Sequence, residues 1–198
     1  DVYKRQLYGK EYDSSPTITR EGEALGSYYG YVADGYFQSQ EEIDMADCVY
    51  GGNKANIKPG YIRYVDVNHD GEINSKDRVI LGNSTPRYEY SFTLGGQWKG
   101  IDLSLFFQGV GKRDLYYSGA GARPLVQNST IFKSQLDTWS PENPDAEYPL
   151  LLVDAGSTNM NNIVSSFWIK SGAYLRLKNL TVGYTLPKKW TNRVSIDN

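Results

Sequence analysis

The alternation of apolar and polar positions is clearest between Tyr88 and Gln108. One parity carries Tyr88, Tyr90, Phe92, Leu94, Gly96 and Trp98, and the other carries Glu89, Ser91, Thr93, Gly95 and Gln97. After Lys99-Gly100 the pattern resumes, with Ile101, Leu103, Leu105 and Phe107 set against Asp102, Ser104, Phe106 and Gln108. Strand side chains point to opposite faces with period two. The pattern therefore predicts a hairpin over 87–109 whose strands each have one apolar and one mostly polar face. Two architectures use such a hairpin. A soluble sandwich buries the apolar face and wets the other. An outer-membrane barrel turns the apolar face to lipid, in segments of about 10 residues with aromatics at their ends. Tyr88, Tyr90 and Trp98 occupy those end positions.

A third extended segment covers 168–186. Leu175 and Leu177 share one parity, whereas Leu180, Val182, Tyr184 and Leu186 share the other. A bulge near Asn179 restores a single apolar face. Elsewhere Ser39-Gln-Glu-Glu42 has the capping-box spacing and predicts a short helix near 39–48. Tyr61–Val65 reads as a short strand. The connections are unequal: Lys99-Gly100 and 187–190 are tight, while 13–85 and 110–167 are long and polar. Long structureless connections are uncommon in compact domains, but barrels combine short periplasmic turns with long outer loops. The fold expectation is all-β. Residues 7–198 are read as part of an antiparallel transmembrane β-barrel with extracellular loops 13–85 and 110–167 and a short loop helix. The hairpin 87–109 and the strand 168–186 form its wall, and 187–190 is a periplasmic turn. Residues 1–6 resemble a translated sequencing-adapter scar and are set outside the fold.

Composition narrows the function. A net charge of −2 offers no footprint for nucleic acid. Only 39% of residues are hydrophobic and no apolar run is long enough for a spanning helix. The single cysteine, Cys48, excludes an intrachain disulfide. With His69 the only histidine, neither a histidine metal cluster nor a Ser–His–Asp triad forms within the chain. Gly109-Val-Gly111 lacks the third glycine of a dinucleotide loop. Glu41, Glu42, Asp44 and Asp47 read as a solvated helix face. Tyr28, Tyr29, Tyr31, Tyr36 and Phe37 read first as loop packing and second as stacking surfaces for sugar rings. No enzymatic activity is expected.

One motif carries candidate metal chemistry. Asp66-Val-Asn68-His-Asp70-Gly71-Glu72-Ile73-Asn74-Ser-Lys-Asp77 matches the D-x-[DN]-x-[DN]-G calcium loop. Asp66, Asn68 and Asp70 would supply side-chain oxygens, Glu72 its carbonyl, Asn74 the ninth position and Asp77 the twelfth, as in dockerin-type loops. Calcium takes six to eight oxygens, and Gly71 permits the sharp turn. An affinity of about 10⁻⁴–10⁻³ M is expected of such an extracellular site. The alternative is a metal-free turn in which the same side chains bond the backbone.

Several strings together resemble the C-terminal portion of SusC/RagA-type TonB-dependent transporters. They are Gly26–Gln38, Gly60–Gly71, Asp77–Asn83, Leu105–Gly109, Trp139–Pro144 and Tyr174–Pro187, in the family's order, between Gly22 and Trp190. The resemblance implies an outer-membrane barrel of about 22 strands with an N-terminal plug. It also implies import of oligosaccharides or peptides with a SusD/RagB-like surface lipoprotein, energised by the TonB complex. The plug, the TonB box and the closing strands are not represented in these strings. The rival reading is a secreted, calcium-stabilised β-sandwich that binds carbohydrate. The two differ in whether the apolar parity of 88–98 meets lipid or protein.

Overall fold

The computed structural model describes residues 11–119, 122, 125, 130–152 and 160–191. The 1–6 segment set aside above lies outside them. The chain divides into two compact units, Asp1–Ser84 with Asp114–Lys170, and Thr85–Arg113 with Ser171–Asn198. Its strands are β1 (Tyr12–Ser14), β2 (Thr17–Thr19), β3 (Ser27–Gly30), β4 (Ala33–Tyr36), β5 (Ile62–Tyr64), β6 (Val79–Asn83), β7 (Glu89–Trp98), β8 (Ile101–Val110), β9 (Asp114–Tyr116), β10 (Ile169–Ser171) and β11 (Tyr174–Tyr184). Among the described residues there are also two short helices, α1 (Gln40–Met45) and α2 (Lys188–Thr191), and single 3₁₀ turns. No helix among the described residues is long and apolar enough to cross a membrane, which says nothing of strands.

The second unit contains the antiparallel sheet β11-β8-β7. The turn joining β7 to β8 needs two left-handed residues, and Lys99 (φ 49°) and Gly100 (φ 85°) provide them. The cross-strand partners sort cleanly by face. Leu94, Leu105 and Leu180 form one row, Gly96, Leu103 and Val182 the next, and Trp98, Ile101 and Tyr184 the row at the turn. Toward the other end Phe92 and Phe107 stack at 4.9 Å, in register with Leu177. The opposite face carries Ser91, Gln108 and Arg176, then Gly95, Ser104 and Thr181, then Gln97, Asp102 and Gly183. The expected bulge is present: β11 skips a partner between Leu177 and Asn179, leaving Lys178 as the extra residue. That single residue flips the parity, so Leu175 and Leu177 join the face of Leu180 and Val182. Every residue of β7 is exposed, and Val182 is 65% exposed. A sandwich would bury that apolar face. A barrel wall leaves it for lipid.

In the first unit the sheet runs β1-β2-β3-β6, and β4 pairs with β5. The long polar stretches contain more order than their composition announced. Tyr31, Tyr36, Ile62, Tyr64, Ile73, Trp139 and Ala146 form one core cluster, and Phe37, Ile43, Val49, Ile57 and Tyr61 a second. Residues 137–168 close over 30–64 through distant polar contacts. The Tyr36 hydroxyl donates to the carbonyls of Ala146 and Glu147 at 3.2 Å each. Tyr64 donates to the Met160 carbonyl at 2.7 Å, and Trp139 Nε1 donates to Gln38 Oε1 at 2.9 Å. Gly60 lies under the Trp139 ring, where a Cβ would come within 2.4 Å of Cε3.

Three boundaries differ from expectation. The helix expected near 39–48 is one and a half turns, Gln40–Met45. Ser39 Oγ caps it by accepting from the Glu42 N–H, and it ends where Ala46 turns extended. The strand expected over 168–186 is interrupted at Gly172-Ala173, where pairing passes from β9 to β8; the Gly172 N–H, donating to the Arg113 carbonyl at 2.9 Å, still follows the β9–β10 register. The 187–190 turn is helical, closed by the Trp190 N–H on the Pro187 carbonyl. Glu42 is also more than part of a solvated face. Its carboxylate pairs with Arg63 and accepts the Gln38 N–H at 2.6 Å.

Candidate functional site

The loop 66–77 is organised by its own side chains. Asp66 Oδ1 accepts from the His69 N–H at 2.7 Å and Oδ2 from the Gly71 N–H at 2.8 Å. Asn68 Oδ1 accepts from Asp70 N–H at 2.8 Å, and Asp70 Oδ1 from Glu72 N–H at 3.0 Å. His69 (φ 59°) and Gly71 (φ 86°) take the left-handed conformations that let the chain fold around these oxygens. Asn74 caps a 3₁₀ turn by accepting from Lys76. Asp77 answers by accepting the Asn74 N–H at 2.8 Å. The other oxygen of Asp77 accepts from Val67 at 3.0 Å and Asn68 at 3.3 Å, and the residue is fully buried. Asp77 thus ties both ends of the loop together.

Burial alone would push the Asp66 carboxyl up. The N–H groups of Gly71, His69 and Asp70 outweigh it and hold the group below the usual carboxylate range. Cys48 Sγ lies 4.0 Å from Asp66 Oδ2. Burial, and next the Asp66 charge, push its thiol up, away from the reactive thiolate.

The predicted ligands Asp66, Asn68, Asp70, Glu72, Asn74 and Asp77 are therefore neighbours in one loop of hard oxygen donors, the chemistry calcium prefers. The oxygens named above bond to backbone N–H groups, and Lys76 Nζ stands 3.5 Å from Asp70 Oδ2. Among the described residues no three His, Cys, Asp or Glu side chains are grouped so as to hold a metal ion.

The tyrosine cluster is packing. Tyr31 meets Tyr50 edge-on at 5.2 Å, and Tyr64 lies within 5.9 Å of both. Burial, then Tyr50, pushes Tyr31 up to about 12. Tyr28, Tyr36 and Phe37 are likewise buried, and the Tyr29 ring has the guanidinium groups of Arg78 at 4.3 Å and Arg20 at 5.5 Å. None of these rings offers an open stacking face.

No family model matches the chain. The chain is 33% identical over 184 residues to TonB-dependent receptor P3 of Formosa agariphila, across 90% of this chain and 17% of that receptor. The chain belongs with the TonB-dependent receptors. It is 25% identical to the TonB-dependent receptor SusC of Bacteroides thetaiotaomicron over 161 residues, 81% of the chain and 14% of SusC. The structure of the RagAB peptide importer in its open-open state has the same fold over 91% of this chain and 18% of the importer chain. The TM-score there is 0.54 and the identity 19%. The chain therefore spans about a sixth of the receptors it matches, and its three-stranded sheet is an unclosed piece of barrel wall. TonB-dependent receptors are outer-membrane proteins and not enzymes. That agrees with the missing catalytic constellation in the sequence.

Proposed function

We propose that this chain forms part of an outer-membrane importer that takes up oligosaccharides or peptides with a SusD/RagB-like surface lipoprotein, driven by the TonB complex. The observation that carries the reading is the β11-β8-β7 sheet, apolar on one face and mostly polar on the other, with β7 wholly and β11 almost wholly exposed. RagAB is described as a peptide importer, and the match to SusC, a TonB-dependent receptor, supports the TonB-driven part of the reading. The folded unit containing loop 66–77 belongs on the extracellular side in this proposal, and the Lys99-Gly100 turn belongs in the periplasm. Calcium in loop 66–77 is a further part of it, supported by the spacing of oxygen donors. It would pin an outer loop and take no part in transport.

The test uses the full-length receptor in intact cells. A cysteine at exposed Asn53 should react with an impermeant maleimide, and one at Lys99 should not. Labelling at Lys99 alone would reverse the orientation. Uptake of labelled oligosaccharide or peptide should stop when TonB is removed, and TonB-independent uptake would sink the importer reading.

A further inference from the structure

The end of the second unit that carries the β7–β8 turn gathers exposed rings. Trp98, Ile101 and Tyr184 share the last row of the apolar face, and Trp98 is 69% exposed. The Thr185 N–H donates to the Gly100 carbonyl at 2.7 Å, so the chain leaves β11 directly beside the turn. Leu186 and, within α2, Trp190 follow, and both are exposed. Trp and Tyr gather at a membrane–water boundary because each joins an apolar ring to a polar N–H or O–H.

Cations accompany these rings. Lys99 Nζ stands 4.6 Å over the Trp98 ring, which holds the ammonium on the apolar side of the wall. Lys189, within α2, is exposed. Among the described residues neither lysine forms an ion pair. Across 95–104 and 181–191 the only carboxylate is Asp102, and it is turned away. It pairs with Gln97 and Gly183 on the polar face, its carboxylate lying over Gly183 where a side chain would otherwise stand. From this end the apolar face continues through Leu103 and Val182 to Leu105 and Leu180. Two ammonium groups, no facing carboxylate and a long apolar continuation suit an amphiphile with an anionic head.

We propose that this end of the wall binds the headgroup of a net-anionic phospholipid. Lys99 and Lys189 meet its phosphate, Trp98, Tyr184 and Trp190 lie level with its glycerol, and its acyl chains run along Ile101, Leu103 and Val182. A zwitterionic phospholipid carries an ammonium of its own, which the lysines repel. Free phosphate lacks the chains that the apolar rows accept. The proposal rests on the placement of the Lys99-Gly100 turn in the periplasm, where the facing leaflet is phospholipid, and adds a lipid partner to that placement.

The test is fluorescence quenching on the full-length receptor in vesicles, with bimane on Leu103→Cys in an otherwise cysteine-free receptor. Phosphatidylglycerol brominated near the head of its acyl chains should quench more than equally brominated phosphatidylcholine at the same mole fraction. That preference should fall about fivefold in Lys99→Asn or Lys189→Gln and vanish in the double variant. Asn tolerates the left-handed backbone at Lys99 (φ 49°), and Lys99→Arg should keep the preference. Lys112→Gln, exposed at the opposite end of the sheet, should also leave it intact, and inorganic phosphate should not relieve the quenching. Equal quenching by the two lipids, a preference unchanged in both lysine variants, the same fall in Lys112→Gln, or relief by phosphate would each overturn the site. Loss of preference with Lys99 still protected from impermeant maleimide in cells overturns the lipid site alone. A lysine-dependent preference with Lys99 labelled from outside overturns the choice of leaflet, and with it the orientation.

Discussion

Replacing Asp77 with alanine should open the 66–77 loop. The carboxylate is fully buried and accepts three backbone N–H groups, from Val67, Asn68 and Asn74. Hydrogen bonds to a charged acceptor contribute about 1.5–3 kcal/mol each, and an orphaned buried donor costs about 1–3 kcal/mol. The three share one acceptor group and are not additive, and water entering the vacated space recovers part of the loss. A net cost of about 2–4 kcal/mol follows, equivalent to roughly 30- to 1,000-fold in local opening. In calcium-free buffer Asp70→Ala is the control, since Asp70 is more exposed and accepts a single backbone N–H, that of Glu72. Hydrogen exchange on the full-length receptor, read from peptides covering 65–79, should show much faster exchange at residues 67, 68 and 74 in Asp77→Ala. Asp77→Asn should fall between, because its amide keeps one acceptor oxygen but presents N–H to N–H at the other. If Asp77→Ala exchanges no faster than Asp70→Ala, Asp77 is not what closes the loop.

In folding titrations of the complete barrel, Leu94→Arg should cost about 2–4 kcal/mol near the bilayer midplane and Thr93→Arg far less. Equal costs would show that the Leu94 face does not meet lipid. Because Asp66 is depressed in the folded loop, its contribution is complete above the ordinary carboxylate range and is lost as pH falls through the lowered value. Loop protection should therefore hold at pH 5 and fail in stronger acid, whereas loss already near neutrality would refute the role of Asp66. Chelation, Asp66→Ala and Asp70→Ala should each raise protease cleavage between Gly51 and Thr85, with magnesium a poor substitute for calcium. An unchanged pattern on chelation removes calcium from the proposal.

The wall was legible in the sequence because lipid and lumen impose a period of two. That period marked both hairpin strands, and its break between Leu177 and Leu180 announced the bulge. The first unit left no such trace. Its core is assembled by contacts such as Tyr36 with Ala146 and Trp139 over Gly60, which join residues about 80–110 positions apart. Its strands are three to five residues long, too short for an alternation to rise above the Gly, Asn and Asp around it. The metal-loop string identified the turn and its closing residue Asp77. It left open whether those oxygens serve an ion or the backbone, because a calcium loop and a side-chain-capped turn ask for the same residues. The pairing of Glu42 with Arg63 was invisible, since helix-face reasoning sees only neighbours on one element.

Lys178 also separates two histories within one strand. It has no partner on β8, so the register of Tyr174–Leu177 is set independently of that of Asn179–Tyr184. A residue gained or lost on the loop side can be absorbed at this point, leaving Leu180, Val182 and Tyr184 in their rows. The segment before Tyr174 is thereby free to lengthen, shorten and diversify while the apolar rows of the sheet stay in place.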